Sequence, residues 1–176
     1  QYRSTLQQFA CAGSRSVRIQ RCFSHDTPQT ASDRIVGYLE QLGVEYVFSV
    51  PGTALCPIYE ALVRSERRGG PKLVLARHEG GAGFLADGYA RETGKIGVVC
   101  STTGPGATNL ITGVACADRE HVPMLAITAN ATLPVFGLGP FQESTSEGTD
   151  TTAMLEHCTR YNTLVTHAEQ LEHKLA

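Results

Sequence analysis

Short apolar runs that alternate with longer amphipathic stretches constrain the fold of this 176-residue chain more than any other feature. The runs cover residues 45–50, 72–76, 96–101 and 123–128, and glycine or proline lies near each of them. Between the runs, apolar residues recur with helical spacing over about ten residues or more. Largely apolar strands that are joined by helices are typical of a parallel sheet with both faces covered. The sequence therefore predicts an α/β domain with helices on both faces of a parallel sheet.

The periodicity places the main predicted helices at residues 33–42, 55–67, 79–93 and 107–117. Ser32 is the candidate N-cap of the first of them. Residues 129–150 are rich in proline, glycine, serine and threonine, which predicts a long loop. A short helix near 152–157, a strand at 162–165 and a final helix from His167 follow. The chain ends inside this helix without a stop signal, so we expect it to belong to a longer or a split polypeptide.

The first 31 residues differ from the rest in composition. Residues 1–25 contain four arginines and no acidic residue, and the segment is rich in serine and glutamine, as mitochondrial targeting peptides are. The sequence from Arg21 to Ser24 also resembles a processing pattern, with a cut after Phe23. A disordered basic arm is the alternative. We therefore predict a targeting-like or disordered segment at 1–31, a folded domain at 32–176, and a mitochondrial or otherwise cytoplasmic location.

Charge and composition exclude several other classes of function. Beyond residue 25 the chain has 11 basic and 17 acidic residues, which argues against a nucleic-acid surface. No apolar run approaches the roughly 20 residues of a membrane span. The six cysteines lack metal-ligand spacing, so we interpret them as reduced thiols and expect no metal site in this chain.

A glutamate at the start of the third predicted helix is the sharpest candidate for chemistry. Glu79 follows a predicted strand and precedes two glycines. Ligands of parallel sheets bind beyond the carboxyl ends of the strands, where the turns at 51–52, 77–79 and 104–106 are expected to share one rim. The pattern leaves two interpretations open. Glu79 either balances the helix dipole or shares a proton with a flat ligand.

Other polar residues near the rim have simpler interpretations. His78 is expected to make a structural hydrogen bond, because no second histidine lies at metal spacing. The glycine-rich turn at 104–106 is either a tight strand-to-helix connection or a ligand loop. Gln142 and Glu143 lie in the long predicted loop, where they either reach over the rim or are solvated.

Six segments occur together in the order found in one protein family: Val50-Pro51-Gly52, Arg77-His78-Glu79, 83–91, 104–109, 122–128 and Phe141-Gln142-Glu143. Over residues 32–176 they resemble the N-terminal pyrimidine-binding domain of thiamine-diphosphate enzymes, in the acetolactate (acetohydroxyacid) synthase-like branch. The resemblance implies an α/β domain and a 2-oxo acid decarboxylase or carboligase, which is a lyase or transferase activity.

The resemblance also implies roles for particular residues. Glu79 would hydrogen-bond N1′ of the aminopyrimidine ring and activate the cofactor, and Gln142 would reach toward the substrate. The implied cofactor-binding residues are Glu79, Pro51, Gly52, Gly104 and Asn109. The implied substrate-binding residues are Thr53, Phe141 and Gln142.

The family binds the diphosphate and Mg²⁺ in a separate domain, through a Gly-Asp-Gly motif that this chain lacks. The resemblance therefore implies that the chain holds half of an active site. Its partners would be a diphosphate-binding domain of the same or another chain, a small 2-oxo acid and, in the complete enzyme, other copies in a dimer or larger homo-oligomer. FAD is a possible further cofactor of the complete enzyme.

The chain departs from the synthase pattern at three places. Thr53 replaces a second glycine, Gly80 replaces a glutamine, and the segment 144–152 is a few residues longer. These changes flank the implied substrate position, so the 2-oxo acid and its acceptor stay open. Because the sequence lacks the diphosphate-binding motif, a non-catalytic remnant or subunit that acts through protein partners is the alternative function. A nucleotide-binding domain is disfavoured, because both standard phosphate-loop fingerprints are absent from the sequence.

Overall fold

The computed structural model describes residues 7–12 and 30–175, which form a sheet with helices packed against it. The strands are β1 Gln7–Ala12, β2 Tyr46–Ser49, β3 Lys72–Leu75, β4 Gly97–Ser101, β5 Met124–Ala129 and β6 Tyr161–Val165. The helices are α1 Ala31–Gln41, α2 Cys56–Glu66, α3 Glu79–Thr93, α4 Pro105–Arg119, α5 Thr151–Glu156 and α6 Leu171–Leu175. Short 3₁₀ turns occupy Thr53–Leu55, Leu133–Val135 and Ala168–Gln170.

The sheet has the strand order β3-β2-β4-β5-β1-β6. Strands β2 to β5 are mutually parallel, which confirms the predicted parallel sheet. Successive strand residues face opposite sides, so Val47 packs with α1 and α2 while Phe48 packs with α3 and α4. Each face therefore carries its own hydrophobic core beneath a pair of helices, as the apolar strands predict.

Strand β1 is a feature that the sequence analysis missed. It lies between β5 and β6 and runs antiparallel to both, with Ala10 opposite Ala126 on one side and Asn162 on the other. Residues 1–31 were predicted to lie outside the fold. The structure differs for Gln7–Ala12, because this segment is a strand of the sheet. The strand satisfies backbone groups of both its neighbours, which a composition rich in arginine and serine does not indicate. The predicted cut after Phe23 lies outside the described residues.

The first helix begins earlier than predicted. Its N-cap is Thr30 rather than Ser32, because Thr30 Oγ1 accepts a hydrogen bond from Asp33 N at 3.1 Å. The Asp33 carboxylate accepts from Thr30 N in return, also at 3.1 Å, and completes a capping box. Ser32 is instead buried, 6% exposed. With Ser32 as the cap, the third helical position would be the apolar Ile35, which cannot make the reciprocal bond.

Glycines let α3 lie unusually close to its neighbours. A Cβ built on Gly113 of α4 would lie 3.0 Å from Gly83 Cα of α3, so the two helix backbones nearly touch. A Cβ on Gly97 of β4 would overlap the carbonyl group of Ala86 in α3. Helix α3 is therefore fixed against both α4 and the sheet, and its first residue is held at the rim.

We predict that Gly97→Ala and Gly88→Ala change stability in opposite directions. Gly97→Ala forces a methyl group into the Ala86 backbone and should lower the free energy of unfolding by about 1–3 kcal/mol. Gly88 lies in α3, as Ala86 does, and a Cβ built on Gly88 has nothing within 4 Å. Alanine there should raise the free energy of unfolding by up to about 1 kcal/mol through helix propensity. Urea unfolding followed by circular dichroism measures both, and equal stabilities would contradict this packing.

Candidate functional site

The parallel strands bring three turns to one rim of the sheet. A Cβ on Gly52, in the turn after β2, would overlap the side chain of Thr102, which follows β4. Gly106, in the first turn of α4, lies against Glu79, which follows β3. The turns at 51–52, 77–79 and 104–106 are therefore neighbours, as expected from their positions after parallel strands.

Glu79 is the first residue of α3, and the residue before it caps the helix. His78 Nδ1 accepts a hydrogen bond from Gly80 N at 3.1 Å. This confirms the expected structural role of His78. Glu79 is half-buried, and its carboxylate lies at the positive end of the helix dipole. The cap thus fixes the backbone from which the carboxylate reaches into the rim.

The two oxygens of the Glu79 carboxylate have different surroundings. Oε2 accepts a hydrogen bond from Asn109 Nδ2 in α4 at 3.0 Å. Oε1 faces Gly106, where a built Cβ would lie 3.4 Å from it, 2.9 Å from Ser101 Oγ and 2.7 Å from Thr102 Cγ2. The side-chain nitrogen of Asn109 can only donate, so Oε2 is the acceptor of this bond. Gly106 therefore packs closely between Ser101, Thr102 and Oε1 of Glu79, where a side chain would not fit.

The long loop at 130–150 packs against the glycine-rich turn. Gly104 has a φ of 54°, and its N–H group donates to Ser144 Oγ. A Cβ on Gly104 would lie 3.0 Å from Gln142 Cβ, and Thr103 Oγ1 lies 3.4 Å from Gln142 Oε1. Gln142 itself has a φ of 58°, which few residues other than glycine adopt. The structure therefore places Gln142 beside the turn that also borders Glu79.

The remaining candidates lie at the outer part of the rim. Pro51 and Thr53 are exposed, and Thr53 begins a 3₁₀ turn that leads into α2. Phe141 is 89% exposed, the most exposed large apolar side chain in the described part of the chain. Such exposure leaves these three residues available to a ligand or to another domain.

Two hydroxyl groups that the sequence analysis missed support the turn after β2. Ser49 Oγ donates to the carbonyl oxygen of Cys100 at 2.8 Å and lies 2.9 Å from Tyr59 Oη. Tyr59 also donates to the carbonyl oxygen of Val50 at 3.3 Å. Burial raises the pKa of Tyr59 to about 12, so its hydroxyl group remains a donor at neutral pH. These bonds connect the turn to β4. In the sequence, the hydroxyl group of Tyr59, next to the inward-facing Ile58, is the one sign of them.

Within residues 7–12 and 30–175, no three His, Cys, Asp or Glu side chains are grouped so that they could hold a metal ion. In the same ranges, no helix is long and apolar enough to cross a membrane.

Comparison with known families supplies the deciding observation. The family model of the thiamine pyrophosphate enzyme N-terminal TPP-binding domain matches residues 29–154. The chain belongs to the thiamine pyrophosphate enzyme family. The match covers both Glu79 and the loop with Gln142, and it agrees with the resemblance drawn from the six sequence segments.

The relatives of this thiamine pyrophosphate enzyme domain are named acetolactate synthases. The chain is 46% identical to the acetolactate synthase of Arthrospira platensis over 114 residues, which are 65% of this chain and 20% of the relative. It is 43% identical to the large subunit of acetolactate synthase isozyme 2 of Escherichia coli over 142 residues, 81% of this chain and 24% of the relative. The corresponding large subunit of Corynebacterium glutamicum is 40% identical over 147 residues, 84% of this chain and 22% of the relative. The chain thus spans between a fifth and a quarter of the length of these curated relatives.

We predict that Asn109→Asp destabilises the domain in a pH-dependent way. The new carboxylate would face Glu79 Oε2 and repel it, which should cost up to about 1 kcal/mol of unfolding free energy at pH 7. The folded variant then binds protons more readily than its unfolded chain, so this loss should shrink as the pH falls towards 4. Asn109→Ala removes the hydrogen bond without adding charge and serves as the control. An equal loss at pH 7 and pH 4 for the Asp variant would contradict the Glu79–Asn109 contact.

Proposed function

We propose that this domain supplies the pyrimidine-binding half of a thiamine-diphosphate-dependent enzyme that decarboxylates a 2-oxo acid and ligates the product, as an acetolactate synthase does. The observation that carries the proposal is the Glu79 carboxylate. One of its oxygens accepts a hydrogen bond from Asn109, and the other faces Gly106 in the first turn of α4. The acetolactate synthase names of the relatives support this choice among the reactions of the family.

The residues present fit an aminopyrimidine ring. N1′ of the ring would need a neighbouring group that can exchange a proton, and the half-buried carboxylate of Glu79 at the rim is such a group. Gly52, Gly104 and Gly106 let the turns of the rim pack closely, because a built Cβ would meet Thr102 or Gln142. When bound, thiamine diphosphate supplies the carbanion chemistry.

The residues of this chain bind, orient and exchange a proton with that cofactor. Glu79 would share a proton with N1′ of the ring through Oε1 while Asn109 holds Oε2. Pro51, Gly52 and Gly104 would line the ring. On the substrate side, Gln142 would meet the 2-oxo acid, with Thr53 and Phe141 completing the surface.

The remaining parts of the active site would come from elsewhere. The diphosphate and Mg²⁺ would be held by a diphosphate-binding domain of the same or another polypeptide, and we propose that the complete enzyme is a dimer or larger homo-oligomer. FAD is a possible additional cofactor of that assembly. The exposure of Phe141 and the half-burial of Glu79 support a site that a second domain covers.

A non-catalytic domain that acts through protein partners is the second candidate function. It is favoured by the two residues near the site that depart from the synthase pattern, Thr53 and Gly80. The two functions are separated by mixing the chain with a diphosphate-binding domain, thiamine diphosphate and Mg²⁺. Release of carbon dioxide from pyruvate supports the enzyme. Its absence from every mixture, with all components folded, supports the non-catalytic domain.

A mitochondrial location is proposed from the composition of residues 1–31 alone, and a cytoplasmic one is the alternative. The relatives named above are bacterial and do not point to mitochondria. Cleavage after Phe23 would also remove β1 and leave β5 and β6 without their shared neighbour. Mass determination of the mature N-terminus distinguishes a cleaved from a retained segment.

We predict that Glu79→Gln lowers turnover of the complete enzyme by at least about 100-fold, because glutamine cannot exchange the proton. The helix start should be preserved, since His78 provides the cap. The measurements are the rate of carbon dioxide release and the circular dichroism spectrum. Glu92→Gln, at the other end of α3, is the control and should retain normal turnover. Near-normal turnover by Glu79→Gln would refute proton exchange at this carboxylate.

We also predict that the chain alone binds thiamine diphosphate weakly. It offers a surface for the ring but, within the described residues, no group of ligands for Mg²⁺. Isothermal titration calorimetry with the cofactor and Mg²⁺ should therefore give little heat until a diphosphate-binding domain is added. Tight, Mg²⁺-dependent binding by the chain alone would contradict the half-site.

A further inference from the structure

Glu143 lies at the centre of the loop that borders the candidate site. Its carboxylate accepts hydrogen bonds from Gly137 N at 2.6 Å, Gly139 N at 3.2 Å and Thr145 Oγ1 at 2.6 Å. These bonds lower the pKa of Glu143 below its usual value. The bond from Thr145 has the largest effect, and the bond from Gly137 has the next largest. The ionised side chain therefore closes the segment 137–145 upon itself.

The backbone around Glu143 is shaped to meet this carboxylate. Gly137 has a φ of 73° and Gly139 a φ of 66°, which allows the two N–H groups to turn towards it. On the other side, a Cβ on Gly148 would lie 3.1 Å from Glu143 Cγ, and Thr149 N donates to the Glu143 carbonyl oxygen at 3.3 Å. The loop thus packs around Glu143 from both directions.

The residues on either side of Glu143 attach this network to the site. Ser144 is fully buried, accepts from Gly104 N through its hydroxyl group, and accepts from Asn130 Nδ2 through its carbonyl oxygen at 3.1 Å. Gln142 lies against Gly104 with a φ of 58°. A glutamine keeps such a backbone conformation only when its surroundings impose it.

We propose that Glu143 is a positioning residue that holds Gln142 over the glycine-rich turn. Its carboxylate is occupied by three donors of the loop, so it acts on the site through the backbone of its neighbour. Phe141 lies in the same segment, between Gly139 and Gln142. The role of Gln142 towards the substrate rests on the proposed function, whereas the order of the loop does not.

The first test measures the loop itself, in the chain alone. Glu143→Ala should increase amide hydrogen exchange at Gly137 and Gly139 by on the order of tenfold, since each loses its acceptor. Thr145→Val removes one donor and should give a smaller increase. Glu156→Ala is the control, because it removes an exposed carboxylate at the end of α5, outside the loop. The amides of β4 should exchange at the wild-type rate in every variant. Unchanged exchange at both glycines in Glu143→Ala overturns the proposal.

The second test measures the site in the complete enzyme. We expect Glu143→Ala to change KM and kcat for the 2-oxo acid in the same proportions as Gln142→Ala does. The double variant should be no worse than Gln142→Ala alone, because both changes remove one function. Glu143→Gln, which retains an acceptor, should restore part of the loss. Glu156→Ala should behave as wild type.

The outcomes separate this inference from the proposed function. If the wild-type complete enzyme does not turn over 2-oxo acids, the proposed function fails and the exchange experiment alone decides whether Glu143 orders Gln142. If the wild type is active and Glu143→Ala retains normal KM and kcat, the positioning role is overturned. Additive losses in the double variant overturn it as well.

Discussion

The contact between α3 and α4 is the constraint on which the candidate site depends. Gly83 and Gly113 bring the two helix backbones together, and this closeness lets Asn109 of α4 reach the carboxylate at the start of α3. The parallel order of the strands puts both helix starts at one rim. A wider separation of the helices would leave Glu79 as a hydrated helix-start residue, which is the simpler interpretation of its sequence context. The packing of α3 against α4 therefore decides which contacts Glu79 can make.

Much of the fold was predictable because its strands and helices have strong periodicity. Apolar strands at 47–48 and 98–99 send neighbouring residues to opposite cores, and the intervening helices have the spacing to cover them. The details that were missed depend on pairing rather than on periodicity. Strand β1 exists through backbone bonds with β5 and β6, and the start of α1 is set by the reciprocal bonds of Thr30 and Asp33. Neither is visible in the hydrophobic pattern.

The site was predictable only in part, for the same physical reason. The position of Glu79 after a strand and before glycines was sufficient to select it. Its bond to Asn109 joins residues thirty positions apart, and no local pattern specifies such a contact. The support of the Val50 turn by Tyr59 and the loop network of Glu143 are equally non-local. Residues that hold other residues in place were therefore found in the structure, while residues at the rim itself were found in the sequence.

The unequal oxygens of Glu79 connect the incomplete site to its chemistry. Oε2 accepts a hydrogen bond from Asn109, whereas Oε1 faces Gly106 at the rim. In the chain alone the residue is half-buried, so water still competes. A second domain that closes over the rim would remove that water while the Asn109 bond persists. The proposed second domain would thus do more than add ligands for the diphosphate, because it would also exclude water from Oε1.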